Sequence, residues 1–164
     1  MNFKIRKSVK TDMPQVLSLI NQLAIFEKEP EAVEISLQDL ENDGFGDNPA
    51  FFCFVAEINN KIEGIALCYF RYSTWKGKTI HLEDLIVNET MRGTGIGTSL
   101  LNEVIKYGYS LGVKRINWEV LNWNIPAVNF YKKKGANILE EWRVVHLNEK
   151  GIKNYIENIQ YANI

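Results

Sequence analysis

The sequence predicts an α/β fold, and three observations carry that prediction. An apolar, β-favouring run from Thr79 to Val87 leads through a short polar turn into Arg92-Gly93-Thr94-Gly95-Ile96-Gly97. Apolar residues then recur at helical spacing, at Ile96, Leu100, Leu101, Val104 and Ile105. Upstream, Phe51 to Ile58 and Ile65 to Tyr72 read as two strands joined near Asn59-Asn60-Lys61, a natural hairpin turn.

The bulk numbers fit one ordinary domain. With 164 residues, 46% apolar and 24% charged, the chain can bury a sizeable core. A net charge of −1 gives no global basic field for nucleic acid or an anionic membrane, although Lys132-Lys133-Lys134 is a local basic cluster. No apolar run approaches membrane-spanning length, and Met1-Asn2-Phe3-Lys4 lacks a signal-peptide core. Cys53 and Cys68 lie in apolar, strand-like runs and make neither a disulfide framework nor a metal site. The expected compartment is the cytoplasm, and no metal is expected.

In chain order, Phe3 to Ser8 reads as a first strand. Thr11 or Asp12 caps a helix with Pro14 in its first turn and an apolar face of Val16, Leu17, Ile20, Leu23 and Ala24. Ser36 starts a second helix that Gly44 closes. After the hairpin, Trp75-Lys76-Gly77-Lys78 turns the chain into the Thr79–Val87 strand. The helix beyond the glycine turn ends near Gly112, and Lys114 to Leu121 is another strand. Asn124, with Pro126, caps a helix carrying Val128, Phe130 and Tyr131, which Gly135 stops. Ile138 to Leu147 completes the sheet, and Ile152, Tyr155, Ile156 and Ile159 predict a short amphipathic helix in the 148–164 tail. No linker or repeat divides the chain, so 1–164 is expected to be a single domain.

The glycine turn carries chemistry. Glycines permit positive φ and close approach of a ligand, and the first amides of a helix have no intrahelical acceptors. Such an end attracts phosphate. No lysine follows the glycines, which excludes a nucleoside-triphosphate loop. A dinucleotide fingerprint would place an acid near Glu119, but the spacing Gly-x-Gly-x-Gly is wrong and too little chain follows, so a nicotinamide enzyme is a weak runner-up.

Arg-Gly-Thr-Gly-Ile-Gly (Arg92 to Gly97) resembles the acyl-CoA pyrophosphate loop of the GNAT N-acetyltransferases. Leu82-Glu83-Asp84, Trp123-Asn124-Ile125-Pro126, Asn129 to Ala136 and Asp43-Gly44-Phe45-Gly46 are similar to the diamine (spermidine/spermine) acetyltransferase branch. The resemblance runs from about Phe3 to Leu147. It implies a mixed, mostly antiparallel sheet with helices on both faces, opened between its two central strands to admit acetyl-CoA. It also implies a homodimer, and acetyl transfer to a polyamine by direct attack in a ternary complex.

Residue roles follow from the same resemblance. Tyr131 matches the general acid toward the coenzyme sulfur, and Glu83 the acceptor of the amine proton. Leu85, Ile86 and Val87 present backbone to the pantetheine arm, and Arg92, Gly93, Thr94, Gly95, Ile96 and Gly97 hold the pyrophosphate. Asn124, Ile125, Pro126 and Ala127 line the coenzyme's other side. For the acceptor, the matches are Phe26, Glu27, Glu83, Asp84, Asn117, Trp118, Glu119, Glu141 (or Glu140) and Trp142, acids and aromatics suited to a polycation. Strand alternation puts His81 with Glu83 on one face and Leu82 with Asp84 on the other. His81 departs from relatives, which often carry an aromatic there; two residues from Glu83, it either shares that residue's role or is a satisfied, half-buried histidine, the second reading being preferred. Alternatives are acetylation of thialysine, lysine or another small amine (Arg143 being a candidate partner for an acceptor carboxylate), and an acyl-CoA sensor without turnover.

Overall fold

The computed structural model describes residues 2–162, with side chains described through residue 159. By its internal contacts the chain divides into two compact units, Met1–Glu119 and Val120–Ile164.

The first unit is built on five strands: β1 (Lys4–Lys7), β2 (Phe52–Ile58), β3 (Lys61–Ser73), β4 (Gly77–Val87) and β5 (Ile116–Asn117). They lie in sequence order, with β1 to β4 antiparallel and β5 parallel to β4. Asn59 and Asn60 take left-handed φ of 49° and 64°, which matches the twist of the β2–β3 hairpin.

Helices α1 (Met13–Glu27) and α2 (Leu37–Phe45) close one face of this sheet. Met13, Val16, Leu19 and Leu40 pack there with Cys53, Val55, Ile65, Leu67 and Ile86. The opposite face receives α3 (Ile96–Ser110): Phe52 and Phe54 meet the Tyr107 ring edge-on, at 5.1 and 5.6 Å between centroids. Gly64 makes the close approach possible, because a Cβ there would lie 3.0 Å from Ile96 Cγ2 and 3.1 Å from Leu100 Cδ1. At the sheet edge Arg6 ties β1 to its surroundings through Asp12 and Glu57, both at 2.6 Å.

Several boundaries differ from the sequence reading. Asp12 precedes α1, but its carboxylate caps the preceding three-residue turn by accepting from Val9 N at 2.8 Å. Ser36 does cap α2, accepting from Asp39 N, yet the helix passes through Gly44 and ends at Gly46. Gly44 is a packing glycine instead: its Cβ would lie 2.6 Å from Phe51 Cζ. The strand expected over Lys114–Leu121 shrinks to Ile116–Asn117.

The second unit holds α4 (Ile125–Lys133) and α5 (Glu149–Ala162). Asn124 caps α4, its side chain accepting from Ala127 N at 3.3 Å. Asn148 accepts from Gly151 N at 2.9 Å at the start of α5, which Glu149 and Lys153 reinforce as an ion pair one turn apart. The strand expected over Ile138–Leu147 does not form. Trp142 N instead donates to Leu139 O at 3.2 Å in a turn, and Val144 and Val145 are both exposed although adjacent, so the period-2 pattern is not used.

Candidate active site

The glycine turn adopts the geometry an anion requires. Gly93 and Gly95 have φ of 79° and 92°, a region side-chain-bearing residues rarely enter. Gly95 is the residue before α3, and no side chain caps that helix, so its first amides are open to a ligand. Thr94 Oγ1 donates to Met91 O at 2.6 Å and so is directed back into the turn. Arg92 is exposed; its Nε donates to Val87 O at 3.4 Å and its guanidinium lies 4.9 Å from the Phe26 ring centroid.

The strand before the turn carries the acids. Along the β3–β4 pair, Leu85 faces Ala66 and Asp84 faces Leu67, but Leu82 faces Cys68. Glu83 is therefore the extra residue of a β-bulge, with no partner on β3. The bulge breaks the alternation. Asp84 shares the α1 face with Leu67, whereas Leu82 shares the α3 face with Cys68, so the expected pairing of Leu82 with Asp84 on one face is overturned. Glu83 remains on the side of His81, its Oε2 3.4 Å from His81 Nε2.

Asp84 is mostly buried, and burial pushes its carboxyl up to about 6, with Glu83 and Glu27 adding repulsion. Burial also raises Glu27, at the end of α1. Asp84 thus feels the charge of two further carboxylates, Glu83 and Glu27. Among the described residues, no cation forms an ion pair with Asp84. Nearby Cys53 and Cys68 are buried thiols held protonated, Cys68 up to about 12, which makes them packing groups.

β5 pairs with β4 only at Ile80↔Ile116 and His81↔Asn117. From Leu82 to Val87 no described strand borders β4 on that side, so its backbone edge can receive an extended ligand as an added strand would. Ile86 is in the core toward α1, while Leu85 and Val87 are half-buried toward α3, Val87 lying against Gly97. Asn117 closes this stretch, with Trp118 half-buried and Glu119 exposed just beyond the strand.

In the second unit, Tyr131 is buried on α4, which pushes its phenol up to about 12 and keeps it a proton donor at any physiological pH. Ala127 is half-buried on the capped first turn, with Ile125 and Pro126 exposed beside it. Glu140, Glu141 and Trp142 are exposed in the irregular segment. One residue the sequence reading did not single out is Tyr69, whose ring lies 5.0 Å from that of His81 and which feels the charges of Glu83, Arg71 and Glu119. The turn at Ser73↔Gly77 fixes this register, so counting back from it would have paired the two rings.

A family model described as Acetyltransferase (GNAT) family matches residues 15–136, a span holding both the uncapped turn and Tyr131. The chain belongs to the GNAT acetyltransferase family. Its similarity to a mouse thialysine N-epsilon-acetyltransferase is 40% identity, over 84% of this chain and 86% of that protein. A human spermidine/spermine N(1)-acetyltransferase-like protein 1 is 35% identical over 90% of this chain and 23% of its own length. In fold, an integron cassette protein of Vibrio cholerae superposes with a TM-score of 0.79 at 22% identity, covering 96% of this chain and 99% of that one. The GNAT sheet expected from the motifs, mixed and mostly antiparallel with helices on both faces, is the one found.

Among the described residues, no three His, Cys, Asp or Glu side chains are grouped to hold a metal ion. No helix among them is long and apolar enough to cross a membrane.

Proposed function

We propose that this GNAT protein transfers the acetyl group of acetyl-CoA to a primary amine of a small polycation, most favourably a polyamine such as spermidine or spermine. The observation that carries the reading is Asp84, a buried carboxylate beside Glu83 and Glu27 with no described cation paired to it. A bound ammonium would supply the missing charge. The open amides before α3 and the left-handed glycines suit the coenzyme diphosphate, and the unbordered edge of β4 suits its extended arm.

When bound, acetyl-CoA supplies the thioester. Glu83, half exposed on its bulge, accepts a proton from the incoming ammonium, whose solution pKa of roughly 10 otherwise keeps the nitrogen unreactive. Asp84 and Glu27 orient the cation. Tyr131, assigned by its place in Asn-Phe-Tyr, donates to the departing sulfur. Asn124 to Ala127 flank the coenzyme, and Glu141 and Trp142 extend the acceptor site by the same motif assignment. The protein acts in the cytoplasm as a homodimer; Ile152, Tyr155 and Ile156 on α5 are at least half exposed in the single chain, which suits burial against a second copy.

A second acceptor has specific support. The name of the mouse relative makes thialysine the alternative, and a smaller amine would need fewer of the acids. An acceptor panel with acetyl-CoA decides: spermine, spermidine, putrescine, lysine, thialysine and a peptide. Highest kcat/KM for a polyamine supports the reading, and preference for a neutral or acidic acceptor overturns it. Binding of acetyl-CoA without turnover of any amine would make the protein a sensor.

A further inference from the structure

The face of the sheet that carries Asp84 also carries a cation, Arg71. Phe52 pairs with Cys68 and packs against Tyr107 of α3 and Phe70, so Cys68 and Phe70 look toward α3. Alternation along β3 then turns Leu67, Tyr69 and Arg71 to the opposite face, where Leu67 joins the α1 core. Asp84 lies opposite Leu67 and His81 opposite Tyr69 on that same face. Arg71 therefore stands on the acid-bearing side of the sheet, two positions beyond Tyr69.

Its backbone is fixed and its charge is unspent. Thr79, fully buried opposite Arg71, donates Oγ1 to Arg71 O at 2.9 Å. The side chain is exposed, and among the described residues it enters no ion pair. Between Arg71 and the acids lies Tyr69, its ring held 5.0 Å from that of His81. Burial lifts the Tyr69 phenol above its ordinary range, Glu83 and Glu119 push it the same way, and Arg71 pulls it back. One half-buried ring thus has carboxylates and a guanidinium around it.

A polyamine gives Arg71 nothing to bind, because every charge it carries is positive. The α-carbon of an amino acid carries one charge of each sign, and a guanidinium is built to take a carboxylate through two parallel hydrogen bonds. The spacing agrees. Arg71 is four residues from Leu67, the partner of Asp84, which is about 13 Å along the strand. A side-chain amine six bonds from its carboxylate carbon spans roughly 7–8 Å when extended. Charge-assisted contacts of about 2.8 Å at the two ends close the difference. Arg143, the partner the sequence suggested for such a carboxylate, is exposed in the second unit, whereas Arg71 is on the strand paired with the acids.

We propose that Arg71 is a specificity-determining residue: it takes the α-carboxylate, and Glu119 the α-ammonium, of a basic amino acid that this protein acetylates on the side-chain amine in addition to polyamines. The inference rests on the amine-acetylation reading. The chemistry is unchanged: the side-chain ammonium gives a proton to Glu83, its freed pair forms the C–N bond at the thioester carbon, and the C–S pair leaves on sulfur. Arg71 holds the far end of the acceptor and enters no step.

The test uses three acceptors that differ only at the α-carbon: lysine, lysinamide, which keeps the α-ammonium but has no carboxylate, and cadaverine, which has neither. The parent is expected to acetylate lysine on Nε, read by NMR of the product. Arg71→Gln should lower kcat/KM for lysine about tenfold, chiefly through KM, because the lost contact is to a remote charged group. Lysinamide should change by less than about twofold and cadaverine should not fall, since neither carries the carboxylate. Equal losses on lysine and lysinamide, or no loss on lysine, overturn the assignment. So does a loss on lysine from Arg143→Gln that Arg71→Gln does not reproduce. A parent that acetylates polyamines but not lysine overturns the Arg71 role alone, whereas no turnover of any amine removes the acetylation reading as well.

Discussion

The guanidinium of Arg92 lies 4.9 Å from the centre of the Phe26 ring. Arg92 opens the phosphate turn, and Phe26 precedes Glu27 in the last turn of α1, so one stacking contact joins the coenzyme end of the site to its acidic end. A diphosphate that draws Arg92 toward itself has to weaken this contact. Phe26→Leu is therefore expected to change KM for both acetyl-CoA and the amine by severalfold, since an exposed cation–π contact is worth roughly 0.5–1 kcal/mol. Calorimetry of each ligand with and without the other checks the coupling, which the variant should abolish.

Asp84 gives a pH signature. Its carboxyl titrates near 6 in the folded protein and near 3.9 unfolded, so the folded state holds more protons between those values. Stability contributed by the protonated form is lost as pH rises from about 4 to 6. Asp84→Asn is expected to raise the melting temperature above pH 7, by no more than about 3 kcal/mol of stability, and to flatten that decline. The same variant should raise the amine KM at pH 7.5 at least tenfold. Thermal melts across pH, beside kinetics, read both effects.

Acceptor binding should follow the same titration. A cation favours the ionised Asp84, so the parent's amine KM should climb as pH falls through about 6, with protons released on binding at and just below that pH, where the unliganded carboxyl still holds them. Isothermal titration in buffers of different ionisation enthalpy measures the protons released.

Tyr131 stays protonated because burial lifts it to about 12. Tyr131→Phe removes the donor while keeping the ring, and kcat should fall about 100-fold or more with little change in acetyl-CoA binding. Thiol-release assays compared with coenzyme titration check the split, and equal rates would take Tyr131 out of the chemistry.

The two loop and core glycines separate function from packing. Gly95→Ala has open space around its Cβ but must hold φ near 92°, so it should cost about 1–2 kcal/mol and weaken coenzyme binding. Gly64→Ala keeps the turn but crowds Ile86 O, Ile96 and Leu100, so it should destabilise by about 1–3 kcal/mol and leave the affinity of the folded protein nearly unchanged. Denaturant melts with coenzyme titrations distinguish them.

What the sequence determined was local. The glycines before Ile96, the Ser36 and Asn124 caps, the Asn59-Asn60 hairpin and the helical face of the tail each follow from a few neighbouring residues, and each is present in the folded chain. The motifs also marked Glu83 and Asp84 as residues of the acceptor site. Tertiary structure decided how those two point. Their directions depend on one extra residue in β4 relative to β3, a register set by a partner strand and invisible to alternation counted along β4 alone. The same limit applies at Asn117, where β5 is two residues long, and at Ile138–Leu147, where apolar composition does not become a strand. Strand pairing joins residues far apart in the chain, so the sequence supplies candidates for it and only the folded sheet selects among them.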